Sequence, residues 1–374
     1  LFQQLWRAIP CRSTDWILHF EQDRTSLSQG DHLKNKNIAA IAYCFIAGCL
    51  AAHASTAPFG VLSAYNAVAL GDSSLSGTIT LGNDVEGRIA AAGSVSGITT
   101  ILDSLTNPGS NDPWGSQATI NGVSYAAVVG GTFTGPTAIN NSGSVSDVYA
   151  ASHTGTFSFN NGGSFYNPGS IPINFTTEKA TMAGQSSLLA GEAATGTICY
   201  NSNYGCSGRT LVLTGASKTI NYFTVPSSDF GAGSIEIDVP SGSTVVVNVT
   251  GTTVTFNSAG VFVNGNAESD TNDDGNQILF NFPTATTVNV NGALDASILA
   301  PYAVLNGNGG QIGGTIIAAQ ISGNSEYHND EFVGAIPLYT GTSSAPEPGT
   351  LVLMATGIFF MAGLFVWRRR GSTI

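Results

Sequence analysis

Eight residues near the front of the chain, Val85-Glu86-Gly87-Arg88-Ile89-Ala90-Ala91-Ala92, return near its end as Ile312-Gly313-Gly314-Thr315-Ile316-Ile317-Ala318-Ala319. Each copy is followed by Ser-Gly, Ser96-Gly97 in the first and Ser322-Gly323 in the second. This echo limits the fold more than any single motif, because a rung of a stacked β-solenoid needs this mixture of residues. Small residues let the backbone turn tightly at a corner, and a β-branched residue stacks on the neighbouring rung to make a continuous core. Elsewhere helical periodicity is almost absent, and short alternating segments recur between Gly, Asn and Ser. Examples are Val245-Val247-Val249, Val254-Phe256, Val261-Val263 and Val288-Asn289-Val290. The body is predicted to be mainly β, a right-handed β-helix or solenoid; the irregular repeat spacing leaves a β-sandwich as the alternative. TTEKATMAGQSSLLAGEAATG, from Thr176, is rich in helix formers and predicts one accompanying α-helix with Thr176 or Thr177 as its N-cap.

The ends predict export. Leu351 to Trp367 carry no charge, enough for a helix of roughly 25 Å at the lower limit for crossing a bilayer. Arg368, Arg369 and Arg370 follow and hold that end in the cytoplasm by the positive-inside rule. At the front, Lys34 and Lys36, the apolar run Ile38 to Ala51 and the small-x-small site Ala52-His53-Ala54 read as a secretory signal. The expected organisation is a doubtful leader over residues 1–33, a signal peptide over 34–54 and a β body over 55–340. A linker over 341–350, a transmembrane helix over 351–367 and a basic tail over 368–374 complete it.

Between Ser55 and Ala345 four basic residues face nineteen acidic ones, a net charge of −15 against −12 for the whole chain. That balance excludes nucleic acid and anionic membrane surfaces as partners and favours cations, neutral glycans or a hydrated matrix. Only Cys199 and Cys206 remain in the body, close enough in CYNSNYGC to form a disulfide in an oxidising compartment.

The segment FGVLSAYNAVALGDSSLSGTITLGNDVEGRIAAAGSVSG, from Phe59 to Gly97, resembles the opening of the bacterial choice-of-anchor A domain, in which an asparagine followed by small residues precedes a D-x-E-G-R-x-A-A pattern. The segment from Asn281 to Gly334 is similar to that family's closing pattern, with its N-F-P, S-I-L-A-P-x-A, E-x-H and F-x-G elements. Pro346-Glu347-Pro348, the hydrophobic run and the arginine cluster resemble a PEP-CTERM sorting signal. The resemblance implies processing near Pro-Glu-Pro by an exosortase-type membrane protease, in Gram-negative bacteria that make exopolysaccharide. The C-terminal helix is then a temporary anchor, with a permanent one-pass anchor as the alternative.

No G-x-S-x-G elbow, P-loop, H-E-x-x-H or dinucleotide fingerprint occurs, so nucleophilic catalysis has no support in the sequence and no catalytic residue is assigned. The candidate ligand contacts are Asp84, Glu86 and Arg88, expected as a same-face surface ladder, and Glu326 with His328, whose spacing lets them share a hydrogen bond or a cation. His153 is expected in a solvated polar turn. Asp270, Asn272 and Asp274 reproduce the first half of a calcium loop, with Asn281 where a bidentate Glu is needed, so calcium is the one candidate cofactor. Thr78-Ile79-Thr80 and Thr253-Val254-Thr255 raise ice binding, but their rows are irregular along the chain. The expected function is an exported adhesion or structural protein of the cell surface or extracellular matrix, with exopolysaccharide or another glycan as partner and no enzymatic activity. A glycan-active enzyme on the same scaffold is the alternative.

Overall fold

The computed structural model describes residues 57–341 except 103–118, 141–144, 201–205, 207, 231 and 269–272. Among these residues the strands coil in rungs, and most pairs are parallel, which removes the antiparallel sandwich. Three faces run along the coil. The first stacks Ile220–Pro226, Thr244–Thr250, Ile278–Asn281, the start of Ser297–Gly307, the start of Ile316–Gly323, Ala67–Ala69, Ile89–Ala91, Val123–Thr134 and Asp147–Thr154 in that spatial order. The second stacks the start of Thr253–Val263, Thr287–Val290, the later halves of Ser297–Gly307 and Ile316–Gly323, Ile79–Leu81, Val95–Ser96 and the ends of Val123–Thr134 and Asp147–Thr154. The third runs through Leu294–Asp295, Gln311–Gly313, Glu326–His328, Val85, Thr100–Ile101, Thr137–Ile139 and Phe157–Phe159.

Spatial order and chain order differ. The described chain enters the coil in the middle, at Ala67–Ala69, and builds rungs outward to Phe157–Phe159. It then passes through the helix Phe175–Ala190 and builds the other half back towards the middle. The last rung closes on the first: Ala67 pairs with Ile316, Ile79 with Ile321 and Val85 with Tyr327. The echo in the sequence is therefore structural. Ile89 and Ile316 flank Ala67 from opposite sides, Val85 lies two rungs from Ile312 with Tyr327 between, and Ser96 and Ser322 both pair with Thr80. Its two glycines sit at corners with φ of +80° and +124°, where a Cβ would collide with the carbonyl oxygens of Leu81 and Gly307 respectively.

Inward side chains form one continuous core that includes Ile79, Val85, Ile89, Val95, Val254, Phe256, Val288, Leu305, Ile316 and Ile321. Each such burial is worth roughly 1.5–3 kcal/mol, which gives the coil its cohesion. Beyond His153, Phe133, Phe157, Phe159 and Phe165 pack edge-on in an aromatic cluster at one end. His153 lies on the strand Asp147–Thr154 rather than in a turn; it is exposed, as expected, and stacks on Phe165 at 3.8 Å.

The helix begins slightly before the expected cap. Asn174, not Thr176 or Thr177, accepts the Thr177 amide at 3.2 Å, and Phe175 is thereby free to bury against the first face. The sheet holds the helix by amides: Asn281 donates to Ser186 O at 2.9 Å and Asn248 to Leu189 O at 2.8 Å. After the last rung the chain returns over the helix, where Gln185 accepts the Tyr339 amide and donates to Pro337 O, each at 2.7 Å. Among the described residues no helix is long and apolar enough to cross a membrane; the expected signal segment and C-terminal helix lie outside those residues.

Candidate functional site

The second face alternates, with mostly apolar residues inward and mostly Thr, Ser or Asn outward, Val304 and Gln320 being the outward exceptions. Parallel pairing brings the outward residues into line. Thr255, Asn289, Asn306, Ser322, Thr80, Ser96, Thr134 and Thr154 form one column across eight rungs. Neighbours bond along it: Asn289 donates to Thr255 Oγ1 at 3.2 Å, Asn306 to Asn289 Oδ1 at 2.9 Å and Ser322 to Asn306 Oδ1 at 2.6 Å. A parallel column carries Asn257, Asn291 and Asn308, joined at 2.8 and 2.9 Å, and Thr132 bonds Ser152 at 2.8 Å on the other side. Rungs stand about 4.8 Å apart and alternate residues about 6.7 Å apart, so the face is a grid of hydroxyls and amides.

The register brings Thr80 and Thr255 into one column, yet the hydroxyl rows stay irregular as expected, interrupted there by Asn289 and Asn306 and, in the column of Thr253 and Thr287, by Val304 and Gln320. Along the chain the steps in the column are uneven, because corners of different length intervene. In space the paired strands keep register across those corners. Alternation inside each segment was a visible signal; the pairing order that aligns the segments was not.

A second feature lies on the third face. Val85 bridges Tyr327, so Glu86 comes beside Glu326 and His328. One carboxylate oxygen of each glutamate and one ring nitrogen of His328 lie within 4.8 Å of one another. His328 Nε2 is 3.5 Å from Glu326 Oε1, and the Asn329 amide donates to Glu86 Oε2 at 3.0 Å. Of the expected surface ladder, Asp84 and Glu86 remain partly exposed, but Arg88 is 1% exposed. The chain bends at Glu86 and Gly87 where the expectation was a straight strand, and the Arg88 guanidinium donates to Tyr125 O at 2.7 Å and Ser146 Oγ at 3.1 Å. Burial pushes the Tyr65 hydroxyl above its ordinary range, partly offset by Arg88 nearby.

Asn66, the asparagine ahead of the small residues, is fully buried beside this cluster. It donates to Gly314 O at 2.6 Å and His328 O at 2.8 Å, tying the first rung to the last two. Its role was not legible from the sequence, although the residue stood out there. Asp270 and Asn272 of the expected calcium loop lie outside the described residues, as does the side chain of Asp274. Cys199 and Cys206 are joined as a disulfide, with Cα atoms 5.9 Å apart.

The edge between the helix and the first face forms an open groove of about 620 Å³ lined by Leu70, Asp72, Phe175, Lys179 and Tyr302. Lys179 lies 3.6 Å from Asp72, donates to Gly71 O at 2.7 Å and sits 5.6 Å over the Tyr302 ring. Burial alone would raise the Asp72 carboxyl, but hydrogen bonds from Ser74 and Leu75 and the Lys179 charge outweigh it, lowering the group to about 2.

Residues 58–329 match the family described as an ice-binding-like adhesive domain. Residues 344–370 match the PEP-CTERM protein-sorting motif, and the two matches together fit the choice-of-anchor A resemblance. No curated protein and no solved structure is similar enough to match the chain.

Proposed function

From the premise that the chain belongs to the ice-binding-like adhesive domain family and carries a PEP-CTERM sorting motif, so that it is an exported surface protein, we propose that it is a non-enzymatic adhesin whose second face binds extracellular polysaccharide. The eight-rung column carries this reading. A polysaccharide is a repeating array of hydroxyls, and a flat lattice of donors and acceptors meets such an array at many weak points, whose avidity exceeds any single contact. The low density of positive charge suits a neutral glycan.

The sorting motif implies exosortase processing. We take residues 55–340 as the adhesive body and 341–350 as the linker to a temporary anchor over 351–367, with Arg368, Arg369 and Arg370 in the cytoplasm of a Gram-negative cell. The hydrogen bonds of Gln185 to Pro337 and Tyr339 support this division, because they hold these residues on the helix of the body. The coil is taken as right-handed, the hand of nearly all parallel β crossovers.

Binding of the full chain to immobilised exopolysaccharide tests the reading. Thr80→Tyr with Ser96→Tyr breaks the flat grid without touching the core, and at least a tenfold loss of binding is expected. Equal binding by the variant and the wild type overturns the role of this face. The same grid favours a second reading, contact with ice, whose surface also repeats hydrogen-bonding groups. Growth-arrested ice crystals in the presence of the wild type and not of the double variant would support it.

A further inference from the structure

The Glu86, Glu326 and His328 cluster stands apart from the polar grid, on the third face, and none of the three residues serves the proposed adhesion. Its position is unusual. Glu326 and His328 belong to the final rung, Glu86 follows Val85 in the first, and the bridge from Val85 to Tyr327 is where the two halves of the coil meet. Residues 240 apart in sequence thus present two carboxylates and one imidazole to a common point, with the donor atoms all within 4.8 Å.

We propose that this cluster is a binding site for a divalent transition-metal ion of the zinc class, which clips the first rung to the last. The donor set is the first reason. Imidazole with carboxylates suits zinc-like ions, whereas calcium takes six to eight oxygens. Spacing is the second. Tetrahedral ligands about 2.0 Å from zinc lie ~3.3 Å apart, and His328 Nε2 already stands 3.5 Å from Glu326 Oε1.

Orientation is the third reason. The Asn329 amide holds one oxygen of Glu86 at 3.0 Å, which leaves the geometry of a carboxylate ligand fixed from behind. The His328 side chain is 7% exposed while that of Glu326 is 41% exposed, so the imidazole is held by the fold and the ion can approach from solvent. Two carboxylates also neutralise the charge of a divalent ion, and the Asp295 and Asp330 carboxylates that flank Gly313 in the adjoining rung add a negative field. Three protein ligands leave a fourth position for water.

The full chain, stripped with a chelator, is titrated with zinc chloride and with calcium chloride and followed by calorimetry and thermal unfolding. One equivalent of zinc is expected to bind and raise Tm, with calcium at the same concentration leaving Tm unchanged. Glu86→Gln, Glu326→Gln and His328→Gln are each expected to weaken zinc at least tenfold, and His153→Asn to leave it unchanged. Where a variant fails to fold, the wild type decides alone: cobalt(II) should give the intense visible bands of a four- or five-coordinate site, and zinc should slow hydrogen exchange at Ala67–Ala69 and Ile316–Gly323. No stoichiometric zinc binding, displacement of zinc by calcium at equal concentration, or zinc affinity retained in the Glu326→Gln, His328→Gln double variant overturns the site and leaves a hydrogen-bonded ladder. Polysaccharide binding is read separately, so either proposal can fail without the other.

Discussion

The first and second faces of the coil share the same rungs, the same parallel register and the same inward core, and differ only in what points outward. On the first face the outward residues include Val68, Ala90, Val128, Tyr222, Val246, Leu279, Leu299 and Ile317, and these are buried under the helix and the turn around Phe59 and Leu62. On the second they are mostly Thr, Ser and Asn, with Val304 and Gln320 among them, and they are exposed or half-buried. Single strands show the change within themselves. Ser297–Gly307 is buried continuously over its first five residues and then alternates from Tyr302 onward. The difference teaches that the strand-forming pattern and the covering pattern are separate instructions: inward residues build the coil, and outward residues decide which side receives the helix and which stays open for contact.

A charge placed outward on each face should separate the two most strongly. Leu299→Asp buries an unpaired carboxylate beneath the helix and removes apolar contacts, and is expected to cost at least about 4 kcal/mol in urea unfolding. Asn306→Asp, outward on the same strand but on the open face, is expected to stay within about 1 kcal/mol. Equal losses would erase the distinction between the faces. Asn281→Ala is next in size. It removes the donor to Ser186 O and to Asn248 Oδ1, leaving buried acceptors under the helix at about 1–3 kcal/mol, and faster hydrogen exchange in Phe175–Ala190 would show the helix loosening.

The smallest effect lies at the edge between helix and sheet, where Asp72 meets Lys179. A carboxyl lowered to about 2 in the folded state binds fewer protons than in the unfolded chain, so it stabilises above the ordinary value of 3.8 and that contribution is lost as pH falls towards 2. Asp72→Asn should therefore lower stability slightly at neutral pH and flatten the decline between about pH 4 and pH 2. A variant whose acid profile overlays the wild type would remove the carboxylate from this edge.

Much of the architecture was legible because its signals are local. Alternation in Thr244–Thr250 and Thr287–Val290 names strands, and the run from Thr176 names a helix, with only its cap misplaced by the preference of Asn174 for the position that lets Phe175 bury. The echo named stacked rungs, and the structure pairs them one rung apart on either side of Ala67. Glu326 and His328 were legible as a pair because they are two residues apart. Glu86 beside them was not, since nothing along 240 residues records which rung closes on which. Arg88 was misread as a surface residue because nothing near it in the sequence records that Tyr125 and Ser146 cover it.

What consecutive residues determine by themselves is the kind of element they form and the side each side chain takes, because both follow from backbone geometry within a few residues. That was enough for a mainly β, exported, acidic chain with one α-helix among its described residues. Tertiary structure alone decided the order of the rungs: the described chain enters the coil in the middle, and its last rung closes on its first. Long-range pairing is settled by the total apolar surface that stacking buries against the entropy of closing very different loops, a balance no single segment carries. The aligned polar column and the meeting of Glu86 with His328 both come from that balance.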